Sequence, residues 1–81
     1  MSLTDAEQLR AARSMTGLTQ AELAEKSGVS LPTIKRLEAQ PGVMAAHMST
    51  LTALQTALEA AGIEFINENG GGPGVRLRKR R

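Results

Sequence analysis

One stretch constrains the fold more than any other: Gln20 to Glu38, reading QAELAEKSGVSLPTIKRLE. Thr19 precedes it and Glu22 follows three residues later. The threonine hydroxyl can therefore cap a helix while the glutamate reaches back to the cap's backbone N–H. That helix runs through Leu23 and Ala24 and stops at Ser27-Gly28, where glycine suits a left-handed residue just past a helix end. Ser30 then caps a second helix, and Pro32 is tolerated in its first turn, where backbone donors lack helical partners. Ile34 and Leu37 share one face of this helix; Leu31, Pro32, Lys35 and Arg36 share the other.

The spacing favours a helix-turn-helix over a general αα-hairpin. Ala24 lies four residues before Gly28, where a small side chain lets the helices cross closely. Val29, Ile34 and Leu37 fill the angle from one side and Leu23 from the other. The pattern Gln20-x-x-x-Ala24-x-x-x-Gly28-Val29-Ser30-x-x-x-Ile34-x-x-Leu37-Glu38 resembles the Cro/repressor-like (XRE-type) helix-turn-helix family of bacterial and phage regulators. The resemblance spans residues 6–62. It implies a mainly α, four- to five-helix DNA-binding domain, and that Gln20 contacts a phosphate. It further implies that Arg13 in the first helix pairs with Glu38. Two separate surface charges are the alternative for that pair.

Eighty-one residues allow one domain. A chain this short buries only about 60% of its unfolded surface, so association with a partner would help it. One Phe and no Trp, Tyr or Cys leave an aliphatic core and exclude disulfides and thiolate metal sites. No apolar run approaches the ~20 residues of a membrane span, and MSLTDAEQLR lacks a secretory segment, so a cytoplasmic location is expected. The net charge of +2 conceals an asymmetry. Residues 1–75 carry five Lys/Arg against eight Asp/Glu, and the last six residues carry five cations (Arg76, Arg78, Lys79, Arg80, Arg81) and no acid. The basic character thus belongs to the tail.

Taken in order, Thr4 and Glu7 form another capping-box pattern, predicting a helix over about Asp5–Met15 with Ala6, Leu9 and Ala12 inward. Ala39-Gln40-Pro41-Gly42 is a turn by composition. Over Val43–Met48, either a short helical turn or an ordered loop is expected, with Val43 and Met44 or Met48 under the core. Ser49 is expected to cap a helix to about Ala61 with an apolar stripe of Leu51, Leu54, Leu58 and Ala61, and Gly62 to close it. The resemblance implies a fifth helix next. Instead Ile63–Ile66 reads as a strand, Asn67–Gly74 as a turn-rich loop, and Val75–Arg78 as a second strand. A two-stranded hairpin is marginal alone. Pairing with a second subunit is therefore expected, with Ile63, Phe65, Ile66, Val75 and Leu77 as dimer interface; a hairpin folded onto its own fourth helix is the alternative. The resulting units are residues 1–62 (DNA-binding domain), 63–78 (β extension, a dimerisation element) and 79–81 (basic tail).

Catalysis finds little support. The single His47 has no carboxylate nearby in sequence to orient it, and the Ser and Thr residues sit mostly at helix starts. The Gly-rich loop lacks the Lys and following helix of a P-loop. No cofactor, metal or small-molecule ligand is suggested. DNA binding has a coherent chemistry. The second helix of such a motif enters the major groove by its N-terminal residues. Leu31 and Pro32 offer contact to a thymine methyl, and Arg36 a bidentate fork for guanine. Lys35 can do the same less selectively or hold a phosphate, and Ser30 and Thr33 can donate hydroxyls to the backbone. Arg76, Arg78, Lys79 and Arg80 either add phosphate attraction or form a solubility tail or an anchor for an acidic partner. The expected function is a homodimeric repressor on a pseudo-palindromic operator in double-stranded DNA. Two other readings stay open: an antitoxin-type subunit whose extension holds a toxin, and an interaction module docking on another regulator.

Overall fold

The computed structural model describes residues 3–67 and 70–78. It is mainly α, with four helices and a two-stranded antiparallel sheet in the order α1 (Ala6–Thr16), α2 (Gln20–Ser27), α3 (Leu31–Ala39), α4 (Met48–Ala60), β1 (Ile63–Ile66) and β2 (Gly74–Leu77). No helix among the described residues is long and apolar enough to cross a membrane.

The turn chemistry between α1 and α3 follows the sequence closely. α1 ends at Gly17 (φ 75°) and α2 at Gly28 (φ 76°), both in the left-handed region that glycine enters without steric cost. Thr19 Oγ1 accepts the Glu22 N–H at 3.0 Å and Glu22 Oε1 accepts the Thr19 N–H at 2.9 Å, closing the capping box. Ser30 Oγ accepts the Thr33 N–H at 3.3 Å at the start of α3.

The first helix departs from expectation. Its N-cap is Asp5, not Thr4, and the reaching side chain is Gln8. Gln8 Oε1 accepts the N–H groups of Thr4 (2.9 Å) and Asp5 (3.0 Å). Glu7 turns outward to accept the Gly42 N–H at 3.1 Å. The cause lies in a remote contact. The segment after α3 pairs with the chain start through an isolated antiparallel bridge, Asp5 to Val43. The Ala6 N–H donates to Gly42 O and the Met44 N–H to Thr4 O, each at 2.9 Å. This bridge holds Asp5 extended, as an N-cap must be. It also tucks Leu3 (fully buried) and Met44 into the core. Of the three large apolar residues in the 43–48 segment, only Met44 is buried; Val43 is 77% and Met48 66% exposed. Apart from the bridge at Val43, residues 44–47 form a loop without regular secondary structure.

α4 also starts earlier than expected. His47 is the N-cap, with no side-chain cap bond, and its carbonyl accepts from Thr50 at 3.0 Å and Leu51 at 3.1 Å. The C-cap is Ala61, and the positive φ of 106° falls one residue on, at Gly62. Leu54 and Leu58 are fully buried and Leu51 partly, whereas Ala61 is exposed.

The extension folds onto its own chain. β1 and β2 pair in the register Ile63↔Leu77, Glu64↔Arg76, Phe65↔Val75 and Ile66↔Gly74. The hairpin lies against α1 and the C-terminal half of α4, and Ile63 enters the core with no exposure. Phe65 and Val75 pack against the same cluster. Of the residues expected at a dimer interface, Ile63, Phe65 and Val75 are covered from within the chain, the arrangement given as the alternative to pairing with a second subunit. A covalently attached surface packs without the entropy cost of association. Only Ile66 (40%) and Leu77 (39%) keep substantial apolar exposure. The core joins Leu3, Ala6, Leu9, Ala12, Leu23, Ile34, Leu37, Met44, Leu54, Leu58 and Ile63. Each fully buried Leu or Ile contributes on the order of 1.5–3 kcal/mol.

Candidate nucleic-acid interface

α3 is a nine-residue helix with two unlike faces. Ile34, Leu37 and Glu38 are buried against the rest of the domain, while Ser30, Pro32, Lys35 and Arg36 are exposed and Leu31 and Thr33 half-buried. The solvent face is thus the one the sequence assigns to DNA. Both cations stand on it, clear of the core.

A buried polar network fixes the angle of this rod. Arg13 grips Glu38 with two parallel bonds, Nε to Oε2 at 2.8 Å and Nη2 to Oε1 at 2.9 Å. The Glu38 side chain is only 5% exposed. Its hydrogen bond with Glu38 raises the Arg13 guanidinium above its ordinary pKa, against an opposing effect of burial. Arg13 Nη1 also donates to Leu18 O at 3.2 Å, and Arg10 Nη1 donates to the Glu38 carbonyl. α1 therefore holds both the side chain and the backbone at the end of α3. The Arg13–Glu38 pair implied by the resemblance is present and largely out of water, which is the setting where such a pair matters.

Gln20 belongs to this network. Its Nε2 donates to Glu38 Oε1 at 3.0 Å, which ties the start of α2 to the end of α3. This bond uses one of the two amide hydrogens of Gln20, which leaves the other for the phosphate contact that the resemblance implies. Ser30 Oγ and Thr33 Oγ1 lie 2.8 Å apart, so one hydroxyl hydrogen is used between them and the other is free to donate outward.

Arg36 leans away from the N-terminal tip. Its Nη1 donates to Ala45 O at 3.4 Å, beside a cleft of about 470 Å³ lined by Thr33, Arg36, Ala45, Ala46, His47 and Thr50. Sequence reasoning missed this second wall. Placing the α4 start at Ser49 set His47 in a loop, whereas it stands at the positive end of the helix dipole, next to Arg36. The cleft offers one cation, one imidazole, two hydroxyls and a helix start, which is the chemistry of a phosphate contact.

The other cations are not gathered here. Arg76 Nε donates to Glu64 Oε1 at 2.6 Å on the outer face of the hairpin. Arg78 Nη2 donates to the Glu59 carbonyl in the last turn of α4, whereas Thr50 of the cleft is in its first turn. Nine residues at 1.5 Å each separate these points by roughly 13 Å along the helix. The structure does not bring Arg76 and Arg78 together with Lys35 and Arg36. Lys79 and Arg80, also assigned to DNA, lie outside the described residues.

No curated protein matches the chain. A family model described as a helix-turn-helix domain matches residues 6–64, from the first residue of α1 into β1. With the α2–turn–α3 corner, its two glycine-closed helix ends and the exposed face of α3 already in hand, that match covers most of the molecule, and the chain belongs to the helix-turn-helix domain family.

Proposed function

We propose that this chain is a sequence-specific transcriptional regulator of the Cro/repressor-like kind, which acts as a homodimeric repressor on a pseudo-palindromic operator. The observation that supports it best is the division of α3: one face locked by Ile34, Leu37 and the Arg13–Glu38 pair, the opposite face free with Pro32, Lys35 and Arg36. A recognition helix must be held at a defined angle and yet expose its N-terminal side chains to base edges. In this reading Leu31 and Pro32 meet a thymine methyl and Arg36 forks onto guanine O6 and N7. Lys35, the free hydroxyl of the Ser30–Thr33 pair and the His47–Thr50 wall of the cleft hold phosphates. Gln20 assists by fixing Glu38 with one amide hydrogen, and its second amide hydrogen can donate to a phosphate.

Dimerisation supplies what one short helix lacks. In a two-fold dimer equivalent points are separated by twice their distance from the axis, so each recognition helix must lie about 17 Å from it, a distance that a molecule of 31 × 29 × 19 Å can span. One turn of B-DNA, ~34 Å, is the half-site spacing that two recognition helices need. Blocking a promoter in this way requires binding alone, so the chain works without catalysis, in the compartment that holds the DNA. The test is a gel shift with duplex DNA from the protein's own upstream region. Specific binding lost in Arg36→Ala supports the proposal. Equal affinity for scrambled duplex, or no binding at low salt, sinks it.

A further inference from the structure

The chain contains one histidine and no cysteine. Histidine is the side chain whose charge ordinarily changes between about pH 5 and 8. That single group, His47, lines the cleft beside Arg36, Thr33 and Thr50. It stands exposed at the N-cap of α4, and its imidazole has no hydrogen-bond partner among the described residues.

The surroundings of His47 oppose a second positive charge. Arg36 of α3 is the cation that shares the cleft with it, and the start of α4 adds the positive end of a helix dipole. Lys35, the other cation of α3, does not line the cleft. No acid compensates. Residues 40–46 carry no charge, and the first turn of α4 holds no acidic residue. Glu38 of α3 is turned inward onto Arg13 and Gln20, and Glu7 of α1 is taken by the Gly42 N–H. Glu59 stands in the last turn of α4, where it accepts from Gln55.

A phosphate entering the cleft reverses this balance. It brings negative charge to Arg36, to His47 and to the helix start, where the N–H groups of Met48 and Ser49 have no acceptor among the described residues. An opposite charge at contact distance favours the charged imidazole. Binding the DNA backbone therefore draws a proton onto His47, and by reciprocity a proton on His47 strengthens binding.

We propose that His47 makes DNA binding pH-sensitive: the cleft between α3 and α4 takes up a phosphate together with one proton, so occupancy of DNA rises as pH falls through the histidine range. This coupling rests on the DNA-binding role proposed above and adds a control to the same site. Its sign follows from charge. The protonated imidazole holds the phosphate, so the contact is full at acid pH and is lost as pH rises. Because phosphates carry no sequence information, every duplex feels it alike.

The experiment measures affinity of the full chain for duplex DNA from its own upstream region, and for a scrambled duplex, from about pH 8 to about pH 5.5 at several salt concentrations. Toward the acid end, affinity should rise roughly tenfold on both duplexes. The slope of log affinity against log salt should steepen by ~0.9 per bound subunit. His47→Gln should show neither change. His47→Lys, which fixes the charge, should show one slope at both ends. Should His47→Gln fail to fold, His47→Lys decides alone, because it too lacks the titrating group. A flat pH profile in the parent, or a pH response that survives in the folded variants, overturns the coupling and leaves DNA binding standing. Absence of duplex binding at every pH overturns DNA binding itself and the coupling with it.

Discussion

At the scale of single residues, the most consequential group is the Glu38 carboxylate. It receives two bonds from Arg13 and one from Gln20 while almost wholly out of water. Removing one partner of such a pair leaves a buried charge without compensation and typically costs about 3–5 kcal/mol. Arg13→Ala should therefore lower unfolding free energy by that amount, read from urea denaturation. The double change Arg13→Met with Glu38→Leu should cost far less, because no lone charge remains. Two exposed glutamates give a pH signature. Backbone hydrogen bonding to the Thr19 N–H lowers the Glu22 pKa from its ordinary 4.5, and backbone hydrogen bonds, including the one from Gly42, lower Glu7. A depressed carboxylate contributes stability that is full above its unfolded pKa and is lost as pH falls through its folded one. The loss thus belongs to the range below about pH 4.5. A melting-temperature profile of Glu22→Gln should be flatter than that of the parent there and parallel to it at neutral pH.

At the scale of elements, what could be read from the chain and what could not divide along a physical line. The α2–turn–α3 corner was legible because its determinants are local: Thr19 with Glu22, Gly28 at φ 76°, Ser30 with Pro32. The faces of α3 follow from helical spacing alone. The misplaced cap of α1 comes from a tertiary contact. Asp5 replaces Thr4 as cap because a bridge to Val43, far along the chain, sets its backbone. Ser49 is the better capping side chain, yet α4 begins two residues earlier on His47. Whether Ile63 faces a second subunit or its own core has no local signature, since both bury the same alternating pattern. Substitutions separate the outcomes. Ile63→Ala should cost about 2–5 kcal/mol and Ile66→Ala within about 0.5, measured by chemical denaturation, because the first opens a core cavity and the second trims a surface side chain. Gly28→Ala isolates the turn. A Cβ there would meet nothing within 4 Å, so the expected loss of about 1–2 kcal/mol is backbone strain at positive φ and nothing else.

At the scale of the molecule, electrostatics poses the sharpest question. Residues 1–75 carry three more acids than cations, a poor starting point for binding a polyanion. The sequence invites the idea that the tail makes up the deficit beside the recognition helix. Geometry argues against it. Arg78 is fastened at the far end of α4, and the three residues beyond it span at most ~10 Å when fully extended. The cations available to the DNA site are then Lys35 and Arg36, helped by Arg36's neighbour His47 and the start of α4. Each phosphate neutralised contributes ~0.9 to the slope of log affinity against log salt. Lys35→Ala should reduce that slope by about one, weakening all duplex sequences alike. Arg36→Ala should instead reduce discrimination at one base pair by about 1–3 kcal/mol. Deleting Lys79–Arg81 should leave the slope within half a unit of the parent. A slope that falls by two or more on that deletion would return the tail to the DNA.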